Sequence, residues 1–309
     1  MIFRIRFAKY GVVKFIGHLD VMRYFQKAVR RSGLPIKYSQ GFNPHQLMVF
    51  AQPLGVGVTS DGEYMDIETE DNDFEGNPLS AERVRDILGG ALTEGFEIVS
   101  IREIPWTEGT KHPENAMALV KGADYIMSLK DGYKLYPKVS DDGLKAYGEG
   151  GELPGTTGNM ITADFLSTKL KEFLEKDTIT VSKKSKSGER DIDIRPYIYE
   201  AAVTDNSVTP DFMYVDNDST NLTQRDEVIS DAVHECEKDD IKCLGTVHAD
   251  VYIPGIRFFF RLSAGSEVNI KPELVLDAFL EFCGLEHDEF AFQIHRANMY
   301  SDIGAVLGL

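Results

Sequence analysis

The sequence predicts an α+β protein made of two tandem ferredoxin-like units, each β-α-β-β-α-β with an antiparallel sheet and both helices on one face. Three observations predict it. In the first hundred residues short extended segments alternate with two amphipathic helical stretches. The same order returns beyond residue 122 once residues 204–250 are set aside. At 309 residues the chain is also long enough for two ordinary domains, each with its own core. The expected division is 1–104, a linker at 105–122, and 123–309 with insertions at about 137–159 and 204–250.

The first unit opens on Ile2 to Ala8, where Phe3, Ile5 and Phe7 alternate with Arg4 and Arg6 as in a half-buried strand. A helix follows from about His18 to Ser32, with Gly17 to start it, Asp20 in its first turn and Gly33 to stop it. Leu19, Met22, Phe25 and Val29 form its expected apolar stripe, and Arg23, Lys27 and Arg30 its opposite face. Ile36 to Tyr38 and Leu47 to Ala51 flank a turn at Gly41 to His45, and Gly62 to Thr69 is the next strand. Ser80 caps a second helix from about Ala81 to Glu94, and Glu97 to Ile101 closes the unit. Such a sheet leaves its second face open, a common platform for RNA.

Residues 105–122 read as a linker, with Trp106, the only tryptophan, expected to anchor one unit on the other. Beyond it, Tyr125 to Leu129, a helix capped by Thr162, and Thr178 to Ser182 succeed one another. Two segments compete for the third strand, Asp191 to Ala201 and Ile256 to Leu262. Pro272 opens a last helix to Phe282, and Phe290 to Ile294 is the final strand.

The net charge of −17 argues against a nucleic-acid partner when taken whole. Its distribution does not. Residues 1–60 carry nine basic side chains against Asp20 alone, a net of +8, which leaves −25 for the remainder. One reading is a face meant for an anionic partner; the other is internal pairing with acidic neighbours. No apolar run nears the roughly 20 residues of a membrane span, so no membrane partner is expected. Cys236, Cys243 and Cys283 make no disulfide framework, which points to a reducing cytoplasm.

The run from Phe15 to Glu68 carries His18-Leu19-Asp20 at the head of a basic helix, then Ser39 to His45 (SQGFNPH), then Pro53 to Val58 (PLGVGV). These segments resemble the N-terminal signature of the radical-SAM-associated protein family of bacteria, whose own function is unknown. Asp191 to Ile198 (DIDIRPYI) resembles a later segment of that family. The resemblance implies a radical-SAM protein as partner and leans towards RNA as a substrate.

Two sets of residues could carry that function. His18 sits where the positive end of a helix dipole favours a neutral imidazole, the form a general base needs. If the Gly41–His45 turn folded over that helix start, His18 and His45 would form the catalytic pair of a metal-independent endoribonuclease. Alternatively they cap the helix and pin the turn. Arg23, Lys27, Arg30, Arg31 and Lys37 would hold phosphates, with Tyr38, Phe42 and Asn43 meeting bases.

His234, Cys236, Cys243 and His248 have the ligand types for zinc, but not the spacing of a standard finger. No other cofactor is required. The chain lacks the three-cysteine run of a radical-SAM cluster, a phosphate-binding loop and a Rossmann fingerprint. Three classes therefore stand: an RNA-binding accessory to a radical-SAM protein, an endoribonuclease, and a protein–protein scaffold without chemistry.

Overall fold

The structure, a computed structural model, describes residues 1–107, 109–130, 132–138, 156–157, 160–185, 188–204, 255–302 and 305–306. Its first half runs β1 (Ile2–Lys9), α1 (His18–Ser32), β2 (Met48–Phe50), β3 (Thr59–Glu68), α2 (Ala81–Gly89) and β4 (Phe96–Ile104). The chain continues through α3 (Ala116–Leu119), β5 (Gly122–Leu129), β6 (Leu135–Pro137), β7 (Thr156–Thr157), β8 (Met160–Ile161) and α4 (Ala163–Leu174). Then come β9 (Thr180–Ser185), β10 (Gly188–Asp193), β11 (Ile198–Thr204), β12 (Arg257–Ser263), α5 (Pro272–Phe282), β13 (Leu285–His287), β14 (Phe292–Asp302) and β15 (Ala305–Val306).

A mostly antiparallel nine-stranded sheet dominates the described residues. Its order is β11-β12-β5-β14-β3-β1-β4, with β2 added on β3 and β15 on β14. Within the first half the order is β4-β1-β3-β2, and within the second β14-β5-β12-β11. Where two separate sheets were expected, β14 pairs in parallel with the start of β3 and merges them.

Alternation in β1 does what its sequence dictates. Phe3, Ile5 and Phe7 face α1 and α2 and pack with Val21, Phe25, Val29, Val84 and Leu88. Burial of Phe25 alone contributes about 2–3 kcal/mol. Gly17 precedes α1 in extended backbone, and Gly33 ends it at φ 73°, a left-handed stop that favours glycine. The second core gathers Phe258 and Phe260 of β12 with Leu166, Leu170 and Phe173 of α4 and Val275 and Phe279 of α5.

Several expectations are corrected. Leu19 lies outside the apolar stripe of α1 and is 65 % exposed, because Val21 and Ala28 take the buried positions beside Phe25 and Val29. Helix α2 stops at Gly89, five residues early, because the Gly89–Gly90 pair favours termination. The competing segments are both used: Asp191–Asp193 falls in the β9–β10 hairpin, and Ile198 onward forms β11 beside β12. Trp106 stays local, its Nε1 donating to Thr110 O (3.4 Å) and its ring 5.4 Å from that of His112.

The second face of the β1–β3 sheet is also not open. Arg4 and Asp66 form a bidentate pair there (2.7 and 2.9 Å), and the Ala116 N–H donates to Asp66 Oδ2 (2.7 Å). Residues 113–120 thus cover ground that a bare platform would expose.

Where the halves meet, the backbones touch. A Cβ on Gly62 would lie 2.4 Å from Asn298 Cα and 2.6 Å from Ala297 O, backbone atoms with no freedom to withdraw. Gly62→Ala is therefore expected to cost about 1–3 kcal/mol in urea denaturation. Stability within about 0.5 kcal/mol of the parent would contradict this packing of the halves.

Candidate functional site

Of the nine basic residues in the first 60, three are consumed internally. Arg4 pairs with Asp66; Arg6 donates to Asp61 O (2.9 Å) and Ala297 O (3.3 Å). Lys9, 1 % exposed, donates to Lys14 O (3.3 Å) and Ile16 O (3.1 Å). Burial holds the Lys9 ammonium below its usual range, with Arg296 adding to the effect and Glu63 opposing it. Of the three only Arg4 pairs with an acidic side chain; Arg6 and Lys9 are held by backbone carbonyls.

Internal pairing does not describe α1. Arg23, Lys27, Arg30 and Arg31 are all exposed along it. Arg23 meets Asp20 (3.1 Å), and Arg30 and Arg31 rest on the carbonyls of Gln26 (3.1 Å) and Ala91 (2.6 Å). The Arg23–Asp20 pair is open to water, so it holds the guanidinium only weakly and leaves it able to take a phosphate. The chain leaving α1 turns at Gly33 and runs outward as the Tyr38–Gln46 pair. Lys37 is half-buried with its N–H on Glu68 O (2.8 Å). Tyr38 and Asn43 are exposed, and Phe42 at the tip is fully so.

His45 closes that tip. Its Nδ1 lies 2.7 Å from Ser39 Oγ, which also accepts the His45 N–H (3.1 Å). The predicted turn role is met by this small ring of bonds. His45 also lines a cavity of about 180 Å³, bounded by the end of β3 and by the segment before α3. His112 reaches Glu68 Oε1 (3.0 Å) in the same wall. Beside it Gln46, buried, has no hydrogen-bond partner for either amide atom among the described residues.

His18 belongs to a different neighbourhood. Its ring sits edge-on to Phe50, centroids 5.7 Å apart, and the cavity lined by His45 does not include it. No hydrogen bond or ring contact between the two histidines occurs among the described residues. The charges around His18 are Glu63, Arg296 and Lys9. Arg296 is buried and clamps Glu63 through two bonds (2.8 and 2.6 Å), with a third to Gln52 O (3.1 Å). Next to it, His295 Nδ1 lies 2.9 Å from Thr59 Oγ1 and its Nε2 3.3 Å from Asp61.

Sequence reasoning missed Lys9, Glu63 and Arg296, and Gln46 and His112 at the cavity. Glu63 and Arg296 lie 233 residues apart, so no local spacing links them. Gln46 had a faint signal, as a polar residue that follows a Pro-His turn and precedes an apolar run.

The zinc candidates His234, Cys236, Cys243 and His248 lie outside the described residues. Among the described residues no group of three or more His, Cys, Asp or Glu side chains is placed to hold a metal, and no helix is long and apolar enough to cross a membrane.

Burial pushes the His18 imidazole below its ordinary range; Arg296 and Lys9 push the same way and Glu63 pulls back. Near pH 7 it is neutral. In the unfolded chain His18 binds its proton at the ordinary value, about 6.5, so the unfolded state holds more protons just below that pH. The His18 contribution to stability is then complete above about pH 6.5 and is lost as pH falls towards its folded pKa. NMR titration should give a His18 midpoint below 6.5, and His18→Gln should flatten the stability profile over that window. A midpoint at or above 6.5 would contradict the environment described.

A search of curated proteins returns no match. Residues 3–224, which include the α1 face, the 39–45 turn and all of the cavity lining but Ile2, match a family described as an uncharacterized protein conserved in bacteria (DUF2344). That span is well over half of the chain, and the protein belongs to this bacterial family.

Proposed function

We propose that this protein is an RNA-binding accessory module of the bacterial cytoplasm that presents its substrate to a radical-SAM protein. In this reading its two halves are ferredoxin-like units in tandem, joined edge to edge. The observation that carries it is the exposed row Arg23, Lys27, Arg30 and Arg31 on α1, continuing to an aromatic-tipped turn at Tyr38 and Phe42. Phosphates would lie along the helix and unstacked bases against the rings. The acidic remainder of the chain confines nucleic acid to this one surface.

The separate neighbourhoods of His18 and His45 favour binding over cleavage, since a general base and its partner must meet at one reacting atom. Neither histidine is assigned a catalytic role.

Scaffolding has its own support. Phe15 and Leu19 are 66 % and 65 % exposed, Val12 and Val56 are exposed too, and the Gly57 N–H to Lys14 O bond (2.8 Å) ties their two segments together. Exposed apolar residues grouped in this way suit a protein contact. They would serve the radical-SAM partner while α1 serves RNA.

Binding of single-stranded RNA should weaken with salt, each neutralised phosphate adding about 0.7 to the slope of log K against log salt. Replacing Arg23, Lys27 and Arg30 together by Glu should lower affinity at least about 10-fold and reduce that slope by about 2. Unchanged affinity in the triple variant, with the fold intact by circular dichroism, would refute the interface.

A further inference from the structure

A second surface, in the other half of the chain, has the form of a strand edge facing a helix. A groove of about 510 Å³, within the roughly 300–1,000 Å³ of ordinary ligand sites, runs between β9 and α5. Along one side it is lined by every residue from Thr178 to Ser182 in unbroken succession. A cleft over a sheet face would meet alternate residues, because neighbours point to opposite faces. The unbroken run means that this groove follows the edge of the strand. On its other side stand Leu274, Asp277, Ala278 and Glu281, whose spacing makes them one face of α5.

That edge is the open one. Among the described residues β9 pairs with β10 alone. The Ile179 carbonyl accepts the Ile194 N–H (2.8 Å) and the Ile179 N–H donates to Asp193 Oδ1 (2.8 Å), so the main chain at 179 is turned towards β10. Successive strand residues turn their main-chain groups to opposite edges, which aims those of Thr180 and Ser182 away from β10 and at the groove. An edge of this kind is a template for one more strand. Phe173, Leu274 and Ala278 give the groove apolar surface. Its helical wall is acidic: Glu273, Asp277 and Glu281 recur at every fourth position of α5, which contains no Lys or Arg. Asp277 and Glu281 meet His287 (3.0 Å) and Lys138 (3.2 Å), but the two carboxylates are 60 % and 74 % exposed, so these pairs are weak and open to exchange. Among the described lining residues Lys176 is the only cation, and its Nζ lies over the Phe282 ring (4.3 Å).

We infer that this groove takes an extended, basic peptide segment of a partner protein, which pairs with the edge of β9 through its main chain and turns cationic side chains to the α5 carboxylates. In strand addition the backbone bonds supply affinity and the flanking wall supplies choice of sequence. The charge of that wall is what selects a basic segment, and it repels an RNA strand. The inference is independent of the RNA reading of α1, whose surface it does not use.

The test is an NMR titration of the full ¹⁵N-labelled chain with a blocked peptide of alternating lysine and valine, about seven residues long, added to about 2 mM. It should shift the Thr180 and Ser182 amides saturably. A glutamate–valine counterpart should bind at least about 10-fold more weakly, and so should the lysine peptide once its main-chain nitrogens are methylated. Ser182→Pro removes an outward N–H without touching the β10 ladder and should abolish the shift at Thr180. Asp277→Lys combined with Glu281→Lys should lower affinity for the lysine peptide at least about 10-fold. Three results overturn the inference: no saturable shift at Thr180 and Ser182, equal affinity for the glutamate peptide, or affinity that survives methylation. All three are read on the unaltered chain, so they decide even where a variant does not fold.

Discussion

The buried clamp of Arg296 on Glu63 is the contact on which the molecule's layout depends. It joins β14 to β3, strands from opposite ends of the chain, and turns two four-stranded units into one sheet. A guanidinium with no surface exposure is tolerable only when its charge and donors are matched, and removing one partner of such a pair costs about 3–5 kcal/mol. Gln52 O takes a further N–H. Around it Ser60 Oγ donates to Arg296 O (2.7 Å) and Tyr64 OH to Asn298 Oδ1 (2.7 Å), two further side-chain bonds across the seam. Gly62 is the steric counterpart, because only a residue without Cβ lets the two backbones approach so closely.

That seam decides which charged residues remain for a partner. Arg4, Arg6 and Lys9 are spent on internal bonds, Arg6 reaching Ala297 O across the seam, while the helix on the other side of the sheet keeps Arg23, Lys27, Arg30 and Arg31 in water. The +8 of the first 60 residues is thus divided by the alternation of β1 and the periodicity of α1, and only the helical share is available for phosphate. The same burial depresses the proton affinity of His18, which stands beside the seam and away from the 39–45 turn.

Much of this was legible in the sequence because it is local. Alternation in Ile2 to Ala8, the glycines that bracket α1, the Thr162 and Ser80 caps and Pro272 at the start of α5 each act within a few residues. The exposed basic row was legible for the same reason. What could not be read is long-range. Nothing near residue 63 announces a partner at 296, and nothing in the spacing of Arg4 and Arg6 shows that residues 113–120 and Ala297 will cover them. His18 and His45 share a motif-rich stretch, yet β2 and the turn carry them to different neighbours. The Gln46 amide is the subtlest case, since an unsatisfied group is visible only once its whole surroundings are known.

The most direct measurement is zero-length ultraviolet crosslinking of the full chain to single-stranded RNA, with the attached peptides identified by mass spectrometry. Binding through α1 and its following turn predicts crosslinks at Tyr38 or Phe42 within the peptides of residues 24–47. Crosslinks confined to residues beyond 122, or none under conditions where RNA is bound, would contradict it.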